Sequence, residues 1–458
     1  MRSHTRRLSR TGVRAYDMNT LAAHITPPLS AERAQTIAHS LDLRALPRDF
    51  LDNPYPVYAA LRQSEPIKRM PDGSYFLTRH ADLVAVYRDA KVFSSDKQVE
   101  FGPKYNHAPF NQPPFATPGG VSPLFEHRTH SLVFNDPPLH TRVRRLIMGA
   151  LTRRAIEAME PGLVLLVDSL LDKIEAQRGG DLIEDFASAI PVEIIGNLLG
   201  VPHAEREPLR GWSLAILGAL EPALSPEQEA LGHRSVSEFL AYLRQLVADR
   251  RQHPGDPEHD VLTRLIQGED SGDALSEVEL LHNCVFLLNA GHETTTNLIG
   301  NALISLQEWP EQARQLQADL NQAATDGARE QILALAVDEF LRFESSNQLS
   351  NRRALQATQV HGVDLPAGAL VTLCIGAANR DPAVYAHPEQ LDLRRTGNKH
   401  LAFGFGVHQC AGLSLARLEG RIAIGRFLQR FPNYQLSEAP VRGGRARFRG
   451  FLQAPFSI

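Results

Sequence analysis

Ten residues near the C-terminal end, Phe403-Gly404-Phe405-Gly406-Val407-His408-Gln409-Cys410-Ala411-Gly412, set a single cysteine between a glycine-hinged loop and a helical run. Leu415, Leu418, Ile422 and Gly425 fall on one face of that run while Arg417, Arg421 and Gln429 fall off it, so Cys410 sits at or just before a helix N-terminus. Unpaired N–H groups and the positive end of the helix dipole lower a thiol's pKa there, and a coordinated cation removes the proton outright. The pattern suits a metal-bound thiolate. On the residue alone the other reading of a buried cysteine, an inert small hydrophobe, stays open. Gly404, Gly406 and Gly412 allow the backbone to turn and to approach a flat cofactor where any β-carbon would intrude.

Ala290-Gly291-His292-Glu293-Thr294-Thr295 places two small residues beside an acid–alcohol pair. The small residues make room for a flat ring, and a mid-helix threonine can donate to the carbonyl one turn back and loosen the helix. Phe286, Leu287, Leu288 and Leu298 surround the segment, and among them an acid is costly to bury without purpose. We assign His292 to packing. Glu339 and Arg342, three apart, can pair on one helix face. Asp136-Pro137-Pro138-Leu139-His140-Thr141-Arg142-Val143-Arg144-Arg145 reads as a helix start, with an aspartate cap, prolines in the first turn, and His140 and Arg144 on a shared face.

The cysteine string resembles the haem-thiolate loop of the cytochrome P450 superfamily, F-G-x-G-x-H-x-C-x-G, at every fixed position. The acid–alcohol segment resembles that superfamily's oxygen-activation motif, and the resemblance extends from about residue 50 to the end of the chain. It implies a mainly α fold, the helical haem-thiolate domain with a small β portion. It also implies haem b, iron protoporphyrin IX, with Cys410 as the axial iron ligand promoting O–O cleavage. Thr294 would stabilise bound dioxygen and Glu293 would feed protons, with Ala290 and Gly291 beside the ring. Phe403, Gly404, Gly406 and Gly412 would shape the cysteine loop. His140, Arg144, Arg352 and His408 match the superfamily's partners for the two haem propionates, a role that suits arginine's planar fork.

The implied activity is oxygenation of a mostly apolar small organic substrate by O2, with electrons from a separate ferredoxin- or flavodoxin-type carrier and its reductase. A peroxide-driven haem enzyme and a non-catalytic haem sensor are the alternatives. Glu339 and Arg342 would form a structural ion pair with the coil that follows. Many relatives add a further basic residue where this chain has Gln390, which leaves that third leg open. Another departure follows Arg342, where Phe343-Glu344-Ser345-Ser346-Asn347-Gln348 replaces a proline-bearing turn. Arg142, Arg145, Arg417 and Arg421 serve either an acidic electron carrier or ordinary solubility.

The elements that must position these groups are mostly helices. The chain has 458 residues, 43% hydrophobic and 22% charged, with a formal net charge of −4, a balance that argues against a nucleic-acid or anionic-membrane binder. Cys284, Cys374 and Cys410 are too few and too scattered for a disulfide framework or a Cys-x-x-Cys zinc site, which fits a cytoplasmic protein. No apolar run reaches the ~18 residues of a membrane span. Residues 1–30, basic and without an apolar core, read as a disordered tail ahead of a single domain over 31–458, and Met18 is a second candidate start. Six prolines and several phenylalanines between 97 and 135, among them Phe101, Phe110, Phe115 and Phe125, read as a functional loop or lid. Ser276-x-x-Glu279 opens a long central helix that runs to Trp309-Pro310, and a meandering coil from Arg380 to Leu401 leads to the cysteine loop.

Overall fold

A central helix of 32 residues, Glu277–Glu308, runs through the molecule and is buried along nearly its whole length. The computed structural model describes residues 29–96, 116–117, 120–121, 123–257, 260–267 and 275–458. Nearly all of the expected N-terminal tail, the alternative start at Met18, and Phe101, Phe110 and Phe115 of the expected lid lie outside the described residues. The helices that frame the site are, in chain order, α1 (His80–Arg88), α2 (Pro123–His130), α3 (Leu139–Ala150), α4 (Arg153–Gln177), α5 (Ala189–Leu198), α6 (Glu207–Gly218), α7 (Pro226–Gln252), α8 (the central helix), α9 (Asp326–Phe343) and α10 (Leu413–Arg430). The mainly helical fold with a small sheet portion is as expected.

The start of α8 is the capping box read from the sequence: Ser276 Oγ accepts from Glu279 N–H at 3.3 Å, and the Glu279 carboxylate accepts from Ser276 N–H at 2.9 Å. A helix surrounded by protein must satisfy every polar side chain it carries. Asn283 accepts from Leu132 N–H at 2.9 Å and donates to the His130 carbonyl at 3.2 Å, which pins α2 and the turn after it. Asn301 donates to the carbonyls of Glu344 and Arg449, 3.3 and 3.1 Å away, and so holds two irregular segments against the opposite end of α8.

A five-stranded sheet flanks the helices. Its strands are β1 (Ile67–Arg69), β2 (Tyr75–Leu77), β3 (Phe93–Ser94), β4 (Leu349–Ala354) and β5 (Leu370–Cys374), in the order β1-β2-β5-β4-β3, parallel only between β2 and β5. The β4–β5 register sets Arg352 opposite Val371. The main apolar core takes residues from Leu124 to Phe456, and α10 packs against both α4 and α8 within it. Phe427 of α10 meets the rings of Phe186, Tyr434 and Phe456 at 5.1, 4.9 and 5.7 Å.

The coil before the cysteine loop has little regular structure and is held by charge. Arg342 and Glu339 are fully buried, paired through two bonds of 2.8 Å. Arg342 also donates to the carbonyls of Asn379, Pro388 and Gln390. Glu339 accepts from Asp392 N–H, Asn398 Nδ2 and Arg395 Nε, the last at 3.0 Å. The third leg left open by Gln390 is therefore present, supplied by Arg395 five residues on, while Gln390 contributes its main-chain oxygen. The ring of Tyr385 lies 5.2 Å from the Arg342 guanidinium and 5.9 Å from that of Arg395.

Removing one partner of a fully buried pair leaves a bare charge in the interior. Arg342→Met is expected to cost about 3–5 kcal/mol in urea unfolding, and Glu339→Gln combined with Arg342→Met distinctly less than the sum of the single losses. A single-variant loss under about 1 kcal/mol would show that the pair is solvated.

Candidate active site

The cysteine loop is closed by its own backbone. Gly404 N–H donates to the Leu401 carbonyl, Gln409 N–H to that of Gly406, and Cys410 N–H to that of Phe403 at 2.8 Å. Gly406 adopts φ +72°, and a β-carbon there would collide with the carbonyl oxygen of Tyr87, so both conformation and space demand glycine. Gly404, at φ +65°, is needed for conformation alone. Gly412 caps α10, and the direction its β-carbon would take is open for 4 Å. Phe403 stacks under the Arg417 guanidinium at 4.8 Å.

Cys410 lies just ahead of α10, as expected, but the net effect on its thiol is opposite to the one the helix terminus suggests. Burial pushes the pKa up, and the Gly412 N–H, Arg144 and Arg417 do not overcome it. The sulfur residue is nonetheless only partly covered. Deep placement with an uncovered side describes a cysteine facing an internal hollow.

Four basic side chains gather at this hollow from α3, β4 and the cysteine loop. His140 is 2% exposed and neither ring nitrogen has a partner; its ring lies 4.1 Å from that of His408, whose Nε2 is also unpartnered. Burial and the nearby cations push His140 down to about 4 and His408 down to about 2, with Arg144 acting on both and Arg352 likewise. The carboxylate acting on His140 is Asp136, which is engaged by Ser95 N–H at 2.8 Å and by the Ser94 hydroxyl. Arg352 donates to the Asn351 carbonyl at 2.8 Å and lies over the Tyr87 ring. Clustered buried cations with orphaned donors are costly unless an anion joins them.

Across α8 the acid and the alcohol point to different sides. Thr294 Oγ donates to the Ala290 carbonyl at 2.7 Å, the bond to the preceding turn read from the sequence. Ala290 is exposed and Thr294 half-exposed on a helix otherwise buried, so this face borders open space. Leu298, on the same face, packs against Gly420 of α10. Gly291 does not make room for a ring: its missing β-carbon leaves space for Ile195 of α5, a helix-packing role invisible without the tertiary contact. Glu293 is buried and pairs with Arg445 Nη1 at 2.6 Å, while its Oε2 has no partner. Burial pushes its carboxyl up to about 7 against the downward pull of Arg445. His292 is 1% exposed with both nitrogens unpartnered, more than packing requires. Arg445 was not anticipated, although the basic run Arg442-Gly443-Gly444-Arg445-Ala446-Arg447-Phe448-Arg449 was there to flag it.

The family model for cytochrome P450 matches residues 218–440. A biotin biosynthesis cytochrome P450 of Bacillus subtilis is 32% identical over 406 residues, covering 87% of this chain and 95% of that protein. This chain belongs to the cytochrome P450 family. The P450 monooxygenase PikC of Streptomyces venezuelae is 34% identical over 87% of the chain and 89% of its own length. The crystal structure of P450BioI in complex with hexadec-9Z-enoic acid ligated acyl carrier protein superposes with a TM-score of 0.80 at 31% identity, covering 90% of this chain and all of that one. The enzyme is thus an oxidoreductase of the bacterial P450 monooxygenase type, and the family carries a haem-thiolate cofactor.

The residues present suit that group. Burial disfavours a bare thiolate at Cys410, so an ionised sulfur there would need a cation beside it, and the orphaned His140 and His408 nitrogens beside Arg144 and Arg352 suit carboxylates. Arg144→Gln removes one half-buried cation from that cluster. Haem transfer from the P450 to excess apomyoglobin is expected to speed up several-fold, and an unchanged rate would show that Arg144 faces elsewhere.

Proposed function

We propose that Cys410 is the axial ligand of haem b in a single domain spanning 31–458, and that this cytoplasmic P450 oxygenates a mostly apolar organic molecule. The observation that carries the reading is the partly uncovered Cys410 beside a cation-lined hollow whose one nearby carboxylate, among the described residues, is already engaged. When bound, the haem supplies the redox chemistry that splits O2 between product and water. His140, Arg144, Arg352 and His408 hold the propionates. Phe403, Gly404, Gly406 and Gly412 shape the loop that presents the sulfur, and Ala290 leaves the opposite side clear. Thr294 can turn its hydroxyl proton from the Ala290 carbonyl toward that space. Glu293, poised near neutrality, can take up and release a proton at physiological pH.

An apolar substrate agrees with the fatty acyl chain named in the P450BioI complex, and a separate carrier agrees with the surface beneath the cysteine loop. There a concavity of about 560 Å³ is lined by His80, Arg88, Lys399, His400 and Arg417, with no acidic residue in its wall among the described residues. Two of the four arginines first considered for docking are already engaged: Arg142 by Glu279, and Arg417 by Asp338 at 2.7 Å. An acidic ferredoxin or flavodoxin with its reductase fits the remaining charge.

Reduced and exposed to carbon monoxide, the protein should show the strongly red-shifted Soret band of thiolate ligation, lost in Cys410→Ser. With substrate and carrier, Thr294→Ala should consume reducing equivalents while releasing peroxide in place of product. Unchanged coupling with turnover supported by peroxide alone would favour a peroxide-driven enzyme, and no turnover of any compound that displaces axial water would favour a sensor. Separately, Lys399→Glu or Arg88→Glu should raise the KM for an acidic ferredoxin several-fold and flatten its salt dependence, with the carbon monoxide spectrum unchanged.

A further inference from the structure

Behind α8, on the side away from Thr294, lies a small chamber of about 20 Å³ whose polar wall is Arg210, His292, Glu293, Thr296, Asn297 and Arg445, with Ile183, Leu214, Phe448 and Phe451 among the apolar residues that complete it. That is room for about one water molecule. Glu293 Oε2, both nitrogens of His292 and Asn297 Nδ2 are buried without protein partners. Arg445 reaches the chamber from the C-terminal segment and is held at two points, donating to Glu293 Oε1 at 2.6 Å and to the Leu214 carbonyl of α6 at 2.9 Å. The segment that carries it is fixed in turn. Gly443 N–H donates to the Gly450 carbonyl at 3.1 Å, and Gly450 lies so close to Asn297 that a β-carbon would collide with its amide. The N–H groups of Ala446 and Arg447 donate to Glu221, just beyond α6.

We propose that Arg445 is a positioning residue for oxygen activation: it clamps the Glu293 carboxylate at the chamber and ties its protonation to α6. The proposal rests on the reading of Glu293 as the proton-handling group. The charged and titratable groups facing Glu293 are Arg445 from the C-terminal segment, Arg210 from α6, Glu221 from the turn after α6, and His292 from its own helix. Arg445 and Arg210 favour the carboxylate and Glu221 opposes it. Burial pushes His292 down to about 3, so it adds no charge near neutral pH.

The sign follows directly. Burial favours the protonated acid and Arg445 the ionised one, so removal of Arg445 raises the pKa further and keeps Glu293 protonated to higher pH. In the ferric holoenzyme the infrared band of the Glu293 carboxylic acid, assigned by its loss in Glu293→Gln, should titrate with a midpoint of about 7. In Arg445→Met that midpoint should rise by about one to three pH units, and Arg445→Lys should restore most of the original value. Arg445→Gln, which can still donate to the Leu214 carbonyl, carries the same expectation if the methionine variant fails to take up haem. The alkaline limb of coupled turnover should move with the band. A midpoint that stays in place or falls in Arg445→Met or Arg445→Gln overturns the proposal whatever the activity. Undiminished coupling in Glu293→Gln would instead remove the proton-handling reading, while the infrared shift would still report whether Arg445 governs the carboxyl.

Discussion

Keeping a negative sulfur inside a protein means opposing the loss of its hydration, and at Cys410 burial prevails over the helix terminus, Arg144 and Arg417 together. A thiolate at this place requires a strong cation, and the rest of the site is shaped by that requirement. The loop around the sulfur is closed by its own hydrogen bonds and by Gly406, whose conformation and close approach to the Tyr87 carbonyl both demand glycine. The electrostatics of the hollow follow the same logic. Histidines 140 and 408 are driven neutral by burial and by neighbouring arginines, a strained arrangement that two carboxylates would relieve.

The loop cannot hold its position alone. The segment before it is an irregular coil, and irregular backbone in the interior must find partners outside itself. Glu339, Arg342 and Arg395 supply them, turning a coil with little secondary structure into a rigid support for Phe403 to Cys410. A second charged cluster does similar work at the C-terminal segment: Glu344 accepts from Arg442 at 3.1 Å and from Arg449, while Arg449 donates to the carbonyls of Leu51 and Asp52. Arg445 extends from this secured segment to Glu293. Chain termini and irregular coil thus contribute to the centre through arginine, whose fixed fork spans several carbonyls at once.

Much of the architecture was legible from local pattern. The Ser276–Glu279 capping box and the helix after Cys410 each depend on residues within a turn or two of one another, and each occurs where the pattern indicated; the start of α3 differs, since the helix begins at Leu139, after both prolines, and the Asp136 carboxylate accepts from Ser94 and Ser95 instead of capping it. The motif order carried the family. Other features escaped because they depend on contacts between distant segments. Gly291 looked like space for a ring and proved to be space for Ile195. Arg395 closes a network that Gln390 had left open, since a long side chain can reach Glu339 from a different point in the coil. His292, assigned to packing, is buried and also borders the chamber beside Glu293.

Sequence alone determined that this is a cytochrome P450, where its cysteine loop lies, and that an acid and an alcohol stand side by side on the central helix, because these are facts of residue type and short spacing. Tertiary structure decided how far burial opposes ionisation at Cys410, which side of α8 Glu293 faces, and that an arginine from beyond the haem-side helix meets it there. Those outcomes depend on desolvation and on ion pairs between segments as far apart in the chain as Glu293 and Arg445, which local sequence pattern does not encode.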